Sequence, residues 1–445
     1  MGKIVTKFGG SSLADAKQFQ KVKSILDMDT RRCYVVPSAP GRRFDGDDKV
    51  TDLLYKAHRE QQNGQDFSAT FSRIRERYCG IAKELELEID INEYLDEVYR
   101  DIAAGATGDY CASRGEYLNG LLLADYLGFT FLDPKDFIFF NKDGTFNSER
   151  TNDALTALLK YTRKAVIPGF YGSMEEEIHT FSRGGSDISG AIVARAAKAE
   201  MYENWTDVSG FYACDPRIVN SPKWIPELTY QELRELSYMG ANVLHSESIF
   251  PVRSAGIPIR ICNTFSPKDK GTYIVKNSTR DMRDYVVTGV AGKKGFTSIT
   301  LEKSLMNSEV GFVEKVLSVI GRRKISFEHL PSGIDTMSLV IDNEYLKDNA
   351  LEDLMAEMKA VAQPDKIYAH ENIALVATVG HGMAKNVGTS ARLFKALSQA
   401  GINVNMIDQG SSELNIIVGV ENEDCADCIR AIYEEFLGGD ENEVF

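Results

Sequence analysis

In Lys3-Ile4-Val5-Thr6-Lys7-Phe8-Gly9-Gly10-Ser11-Ser12 a short apolar run ends in two glycines. The run from Ile4 to Phe8 reads as a strand, and Gly9 to Ser12 as a turn whose serines would cap a helix. Phe19, Val22, Ile25 and Leu26 then recur at three- and four-residue spacing, the period of an amphipathic helix. Cys33-Tyr34-Val35-Val36, closed by Pro37, is the next strand. Strand, glycine turn, helix and strand begin an α/β layer fold with a largely parallel sheet. The alternation continues through strands at 165–170 and 200–205 and dominates the first 280 or so residues.

The chain has 445 residues, a formal net charge of −14, 43% hydrophobic and 26% charged residues. That composition is globular, and the length suggests about three domains. The acidic balance argues against nucleic acid or an anionic membrane as main partner. No stretch approaches the roughly 18 apolar residues of a membrane span, and the opening strand leaves no place for a signal peptide. Seven scattered cysteines suit a reducing compartment, so a soluble cytoplasmic protein is expected. Cys425 and Cys428 form a CxxC without a second pair, which reads as one helix face and not as zinc ligands. The region 56–103 is polar and charge-rich, with Phe67, Phe71, Ile74, Tyr78 and Ile81 at helical spacing. It reads as a pair of surface helices with little functional content.

Composition shifts near 266–284, where the domain boundary is placed. Beyond it lies an internal repeat. Gly311-Phe312 through Ile325-Ser326-Phe327 resembles Gly388-Thr389 through Ile402-Asn403-Val404 at an offset of 77 residues. Each copy reads strand, loop, helix, strand (402–407 in the second), a further strand (337–341 and 414–418) and a closing helix. That order is βαββαβ, the ferredoxin-like motif.

Four segments carry candidate chemistry. Glycines at Gly9-Gly10 let backbone approach a ligand, a helix start offers N–H groups to a phosphate, and Lys7 adds a cation. A tight turn beside an exposed lysine is the plainer reading. Phe181-Ser182-Arg183-Gly184-Gly185-Ser186-Asp187 again sets glycines before a helix, and Arg183 brings a fork suited to a carboxylate. Asp187 there could simply match the helix dipole. Thr206-Asp207-Val208-Ser209-Gly210 follows a strand. Tyr212, Asp215 and Arg217 come next, able to stack on or clamp a nucleotide or to form an Asx turn in a surface loop. Glu116 stands near the start of a helix. None of the six histidines has metal-ligand spacing, and none is assigned a catalytic role.

In order and spacing these segments, with Gly240-Ala-Asn-Val-Leu-His245, resemble the aspartate kinases of the amino acid kinase family across nearly the whole chain. The C-terminal repeat resembles that family's tandem ACT modules. The resemblance implies an αβα sandwich kinase domain over 1–283 and a regulatory region over 284–445. The first ACT module would be inserted at about 302–370, and the second formed by about 286–301 plus 371–445. It implies transfer of phosphate from ATP, with Mg²⁺, to the β-carboxylate of L-aspartate, opening lysine, threonine and methionine synthesis. Lys7, Gly9 and Gly10 would hold the transferring phosphate. Ser38 and Thr51 would contact the amino acid, Glu116 its ammonium and Arg183 its α-carboxylate, with Ser186 nearby. Asp187 would order substrate and Lys7. Thr206, Asp207, Tyr212, Asp215, Arg217, Asn242 and Val243 would surround the nucleotide. No metal-binding side chain is implied, phosphates and water holding most of the Mg²⁺ shell.

Two departures stand out. Asn242 replaces a lysine of several relatives, and the loop between Ser38 and Thr51 is longer than in some, either a mobile lid or a surface insertion. An amino-acid effector, lysine favoured over threonine, would bind Met306, Ser308, Gly311, Phe312, Ser326 and Glu328. A homodimer or dimer of dimers is expected. The alternatives are a kinase for another acidic amino acid and a non-catalytic amino-acid sensor.

Overall fold

The computed structural model describes residues 2–182, 184–240, 244, 246–281 and 285–439. It divides into two compact units. One comprises 1–211, 225–233 and 242–278, the other 212–224, 234–241 and 279–445.

The N-terminal unit is built on an eight-stranded sheet. Its order is Glu227–Thr229, Thr272–Val275, Ile259–Asn263, Met201–Thr206, Ile4–Phe8, Arg32–Pro37, Ala165–Val166 and Thr130–Phe131. All neighbours run parallel except Ile259–Asn263 and Thr272–Val275. The α/β expectation with a mainly parallel sheet therefore holds. Ile4–Phe8 is central and wholly buried, as a parallel strand covered on both faces must be. Lys7 is the one ionisable side chain in that run.

The serines do not cap the first helix. Gly10–Leu13 forms a 3₁₀ turn, and the helix Ala16–Asp27 is capped by Asp15, which accepts from the Gln18 amide. The Ser12 hydroxyl instead meets the Thr264 hydroxyl at 2.7 Å. The region 56–103 is more than surface. Helices Val50–Gln62, Ser68–Glu84 and Ile91–Ala103 turn Leu54, Phe71, Ile74, Tyr78, Ile81 and Leu95 into the same core as Val35 and Trp205. The side chains read as the apolar face of a solvated pair belong to the domain's hydrophobic interior.

The C-terminal unit holds a five-stranded sheet in the order Thr336–Asp342, Gly289–Glu302, Lys366–Val379, Asn415–Glu421, Met406–Asp408. The strands at 289–302 and 366–379 pair antiparallel along their length, with a register shift near 294–298. The repeat is visible in the backbone. Helices Phe312–Arg322 and Thr389–Gln399 start 77 residues apart, each on a glycine with positive φ, Gly311 at 84° and Gly388 at 93°. The expected strand at 402–407 shrinks to Met406–Asp408, and 325–327 forms none. There the first copy makes only isolated bridges, His329 with Val340 and Ser332 with Met337. Cys425 and Cys428 are buried on the helix Cys425–Leu437, and all seven cysteines are free thiols. No helix among the described residues is long and apolar enough to cross a membrane.

Candidate active site

Parallel strands end together, and the loops that leave them collect at one edge. Lys7, in the central strand, is in register with Asn204 of the neighbouring strand. Its Nζ, only 8% exposed with the rest of the residue, lies 2.7 Å from Asp187 Oδ1 and 3.5 Å from Asn204 Oδ1. Asn204 Nδ2 donates to Asp187 Oδ1 at 2.9 Å, closing a triangle. Asp187 enters this triangle from the first turn of the helix Gly185–Ala196. The dipole explanation for Asp187 is thus incomplete, because its carboxylate is spent on a buried cation.

The glycine loop sits directly above. Gly9 N–H donates to the Trp205 carbonyl at 3.0 Å, and Gly10 O accepts from Gly41 N–H at 2.8 Å. A Cβ on Gly10 would lie 2.9 Å from the Ala39 carbonyl, so glycine is required by backbone packed against backbone. Trp205 is itself fixed from below. Its indole N–H donates to Glu203 Oε2 at 2.9 Å, and Glu203 is in a buried ion pair with Arg32 at 2.8 Å.

The acidic wall of the site is Glu116, on the helix Gly108–Leu127 and 5% exposed. Its carboxyl accepts from the Ala39 backbone N–H, while Oε2 is buried without a partner among the described residues. Burial pushes the group up to about 8, against an ordinary value of 4.5, with Ala39, its own N–H and Lys7 pulling weakly the other way. An unpaired buried carboxyl oxygen is expensive unless something donates to it. Ser38 lies alongside: its N–H donates to Phe8 O at 3.0 Å and its carbonyl accepts from Asn119 Nδ2 at 2.6 Å. Thr51, in the first turn of Val50–Gln62, points its hydroxyl at Gly115, where an added Cβ would sit 3.7 Å from Oγ1. Ser186 packs on Gly169, where an added Cβ would meet its Oγ at 2.7 Å.

Thr206 and Asp207 close the strand beside Lys7, and the two side chains are bonded at 3.2 Å. Tyr212, Asp215 and Arg217 belong to a segment that clusters with the C-terminal unit. There Asp215 accepts the Arg217 amide at 2.8 Å and pairs with its guanidinium at 2.6 Å, an Asx turn with an exposed arginine. Arg183, Asn242 and Val243 lie outside the described residues.

In the C-terminal unit the residues expected to bind an effector separate into two groups. Met306 and Phe312 are buried in the first module's core and turn their side chains inward. Ser308 ends a 3₁₀ turn and Gly311 caps the following helix. Ser326 and Glu328 are not on a regular strand, though the Glu328 amide bonds to Val340 O at 2.8 Å. Glu328 accepts from the Tyr238 hydroxyl, and its Oε2 is buried without a partner among the described residues. In the second copy the equivalent loop opens on a cavity of about 440 Å³, lined by Met383, Asn386, Thr389, Gln409, Ser411 and Glu413 among others.

Asn204 was not legible as a site residue. It reads as one more strand position before Trp205, and only sheet order sets it beside Lys7. Ala39 likewise contributes through its amide, to which side-chain chemistry is no guide.

Comparison with known proteins agrees with this geometry. The amino acid kinase family profile matches residues 2–263, and an ACT domain profile matches 376–436. The chain is 37% identical over 450 residues to aspartokinase 3 of Bacillus subtilis, covering 98% of this chain and 99% of that one. A crystal structure of Clostridium acetobutylicum aspartate kinase superposes with a TM-score of 0.90 at 50% identity, covering 98% and 100%. A crystal structure of E. coli aspartokinase III in complex with lysine and aspartate gives a TM-score of 0.76 at 25% identity, covering 98% and 99%.

Proposed function

The chain belongs to the amino acid kinase family, among the aspartate kinases that carry ACT modules, and from that premise we infer how its residues divide the work. The reaction moves the γ-phosphate of ATP to the β-carboxylate of L-aspartate, giving 4-phospho-L-aspartate. The observation that carries this reading is the pair of opposite features flanking the glycine loop. One is a buried cation held by Asp187 and Asn204, the other a buried carboxyl with a free oxygen.

A carboxylate nucleophile is already ionised at neutral pH, with an ordinary pKa near 4. No general base is needed. The difficulty is the approach of two anions, so catalysis is positioning and charge neutralisation. Lys7 meets the transferring phosphate, with Gly9 and Gly10 shaping its seat. Asp187 and Asn204 hold Lys7 at one place, so little reorganisation accompanies transfer. Glu116 takes the substrate ammonium in its ionised form, which fills the orphaned Oε2. Ser38, Thr51 and Ser186 bound the amino-acid pocket, and Arg183 takes the α-carboxylate. Thr206, Asp207, Tyr212, Asp215, Arg217, Asn242 and Val243 serve the nucleotide.

Among the described residues no group of three His, Cys, Asp or Glu side chains is placed to hold a metal. Phosphates and water would hold most of the Mg²⁺ shell. When bound, the ion would offset phosphate charge during transfer.

The division into a kinase part, 1–283, and two ACT modules, about 302–370 and about 286–301 plus 371–445, is supported by the long paired strands at 289–302 and 366–379. The effector is taken to be lysine, with threonine second. Glu328, with its buried free oxygen, supports an ammonium-bearing ligand in the first module. The cavity at Met383–Glu413 favours a second seat for the same class of ligand. Assembly as a homodimer or dimer of dimers, a cytoplasmic location and a role opening lysine, threonine and methionine synthesis complete the reading.

The test is ADP release with Mg-ATP across L-aspartate, L-glutamate and no acceptor, each with and without lysine or threonine. Aspartate-dependent turnover is expected. Folded protein that turns over glutamate and not aspartate would move the reading to another kinase of the family. Glu328→Gln should raise the half-inhibiting lysine concentration and leave uninhibited turnover alone. If only changes at Thr389 or Glu413 do so, the effector sits in the second module.

A further inference from the structure

The loop between Ser38 and Thr51 is tied down by a buried arginine. Arg77, on the helix Ser68–Glu84, is 6% exposed. Its Nη1 donates to Gly41 O at 2.8 Å and to Ala14 O at 3.4 Å. Its Nη2 donates to Asp47 Oδ2 at 2.6 Å and to Asp48 O at 3.3 Å. Asp47, 7% exposed, also accepts from Arg43 at its amide (3.0 Å), Nε (2.9 Å) and Nη2 (3.0 Å). Arg43, and then the charge of Arg77, hold the Asp47 carboxyl well below the usual carboxylate range, so the cluster stays ionised.

What Arg77 grips is the floor of the amino-acid pocket. Gly41 N–H holds Gly10 O, Ala39 N–H holds the Glu116 carboxyl, and Val50 N–H bonds to Pro40 O at 3.2 Å, starting the helix that bears Thr51. A Cβ on Gly41 would lie 2.6 Å from the Gly10 carbonyl carbon, so the two loops have no room to slide. The next residue of the same helix, Tyr78, donates its hydroxyl to Gly115 O at 2.7 Å and braces the wall that carries Glu116. A guanidinium is suited to this task, because its planar fork reaches several fixed acceptors at once.

We propose that Arg77 is a positioning residue of the kinase. It touches no reactant, and by clamping Gly41 and Asp47 it places the Ala39 and Gly41 amides that hold Glu116 and the Gly10 loop. The segment 42–49 is then a bracket and not a lid. The inference rests on the reading of Glu116 as the seat of the substrate ammonium.

The test uses the full chain and steady-state kinetics from pH 6.5 to 9 for the wild type, Arg77→Met, Arg77→Lys, Asp47→Asn and Glu116→Gln. Arg73→Ala is the control, since Arg73 makes an exposed pair with Asp48. Arg77→Met should raise the aspartate KM tenfold or more. It should also move the midpoint of the KM's pH dependence to higher pH, because Ala39 N–H no longer holds the carboxylate. Lys7, Tyr55 and Tyr78, the other titratable groups that sense Glu116, are unaltered in every variant. Arg77→Lys should recover part of the loss, Asp47→Asn should move KM a few fold in the same direction, and Arg73→Ala should change nothing. Should Arg77→Met fail to fold, Asp47→Asn decides alone. A folded Arg77→Met or Asp47→Asn with wild-type aspartate KM and pH midpoint overturns the clamp, provided Glu116→Gln raises KM. An unchanged KM in Glu116→Gln overturns it too, through loss of the ammonium reading.

Discussion

Glu116→Gln should make the ligand-free protein more stable while it removes aspartate binding. Burial raises the Glu116 carboxyl to about 8 in the folded chain, from 4.5. A carboxyl whose folded pKa is raised contributes stability that is fully present below 4.5 and is lost as pH climbs to about 8. At pH 7 the folded protein keeps a proton that the unfolded chain would have released about 2.5 pH units lower, worth roughly 3 kcal/mol. Glutamine has the same shape and no proton to hold. Its NH₂ must still face the acceptor-poor side of the pocket, at about 1–2 kcal/mol. The net gain at pH 7 is about 1–2 kcal/mol, or roughly 2–6 °C in the melting midpoint of a domain this size. Differential scanning calorimetry at pH 5, 7 and 8 reads it directly. The gap between variant and wild type should be small at pH 5 and widen to pH 8. L-Aspartate should then stabilise the wild type and not the variant. A variant that melts at or below the wild type at pH 8, or a gap that does not grow with pH, would refute the assignment of Glu116 as a strained, neutral carboxyl.

Other expectations follow from the same geometry. Lys7→Ala should lower kcat about a hundredfold or more, the scale of losing one charge-stabilising donor, while calorimetric lysine binding persists; activity within tenfold of wild type would argue against Lys7 at the phosphate. Asn204→Leu frees Asp187 and one side of Lys7. It should cut kcat several fold with little change in the aspartate KM, and a KM effect alone would place Asn204 with the amino acid instead. Glu203→Gln leaves Arg32 as an uncompensated buried charge and should destabilise the N-terminal unit by about 3–5 kcal/mol, read as a lower urea midpoint.

The glycine loop, Lys7, Asp187 and the repeat were legible in the chain because their signals are local; Glu116, read near a helix start, lies in the third turn of Gly108–Leu127 and drew its role only from the resemblance. Glycines after an apolar run, an acid in a helix's first turns and a 77-residue offset between Gly311 and Gly388 can be read without knowing what lies beside them. The capping serines misled because Asp15, three residues on, is an equally good cap and takes the role, while the Ser12 hydroxyl is bonded to Thr264.

What the linear chain determined by itself was the layer architecture, the tandem C-terminal modules and the residue types available for phosphoryl transfer. Hydrophobic period and turn chemistry act over a few residues, so they are written in order along the sequence. Tertiary structure alone decided which strand lies next to Lys7, and so made Asn204 part of the site. It also decided that the face of Phe71, Tyr78 and Ile81 is core, and that Arg77 of that helix reaches Gly41 and Asp47. Those contacts join residues 30 to nearly 200 positions apart. They exist because a buried charge has to find donors or acceptors wherever the fold places them.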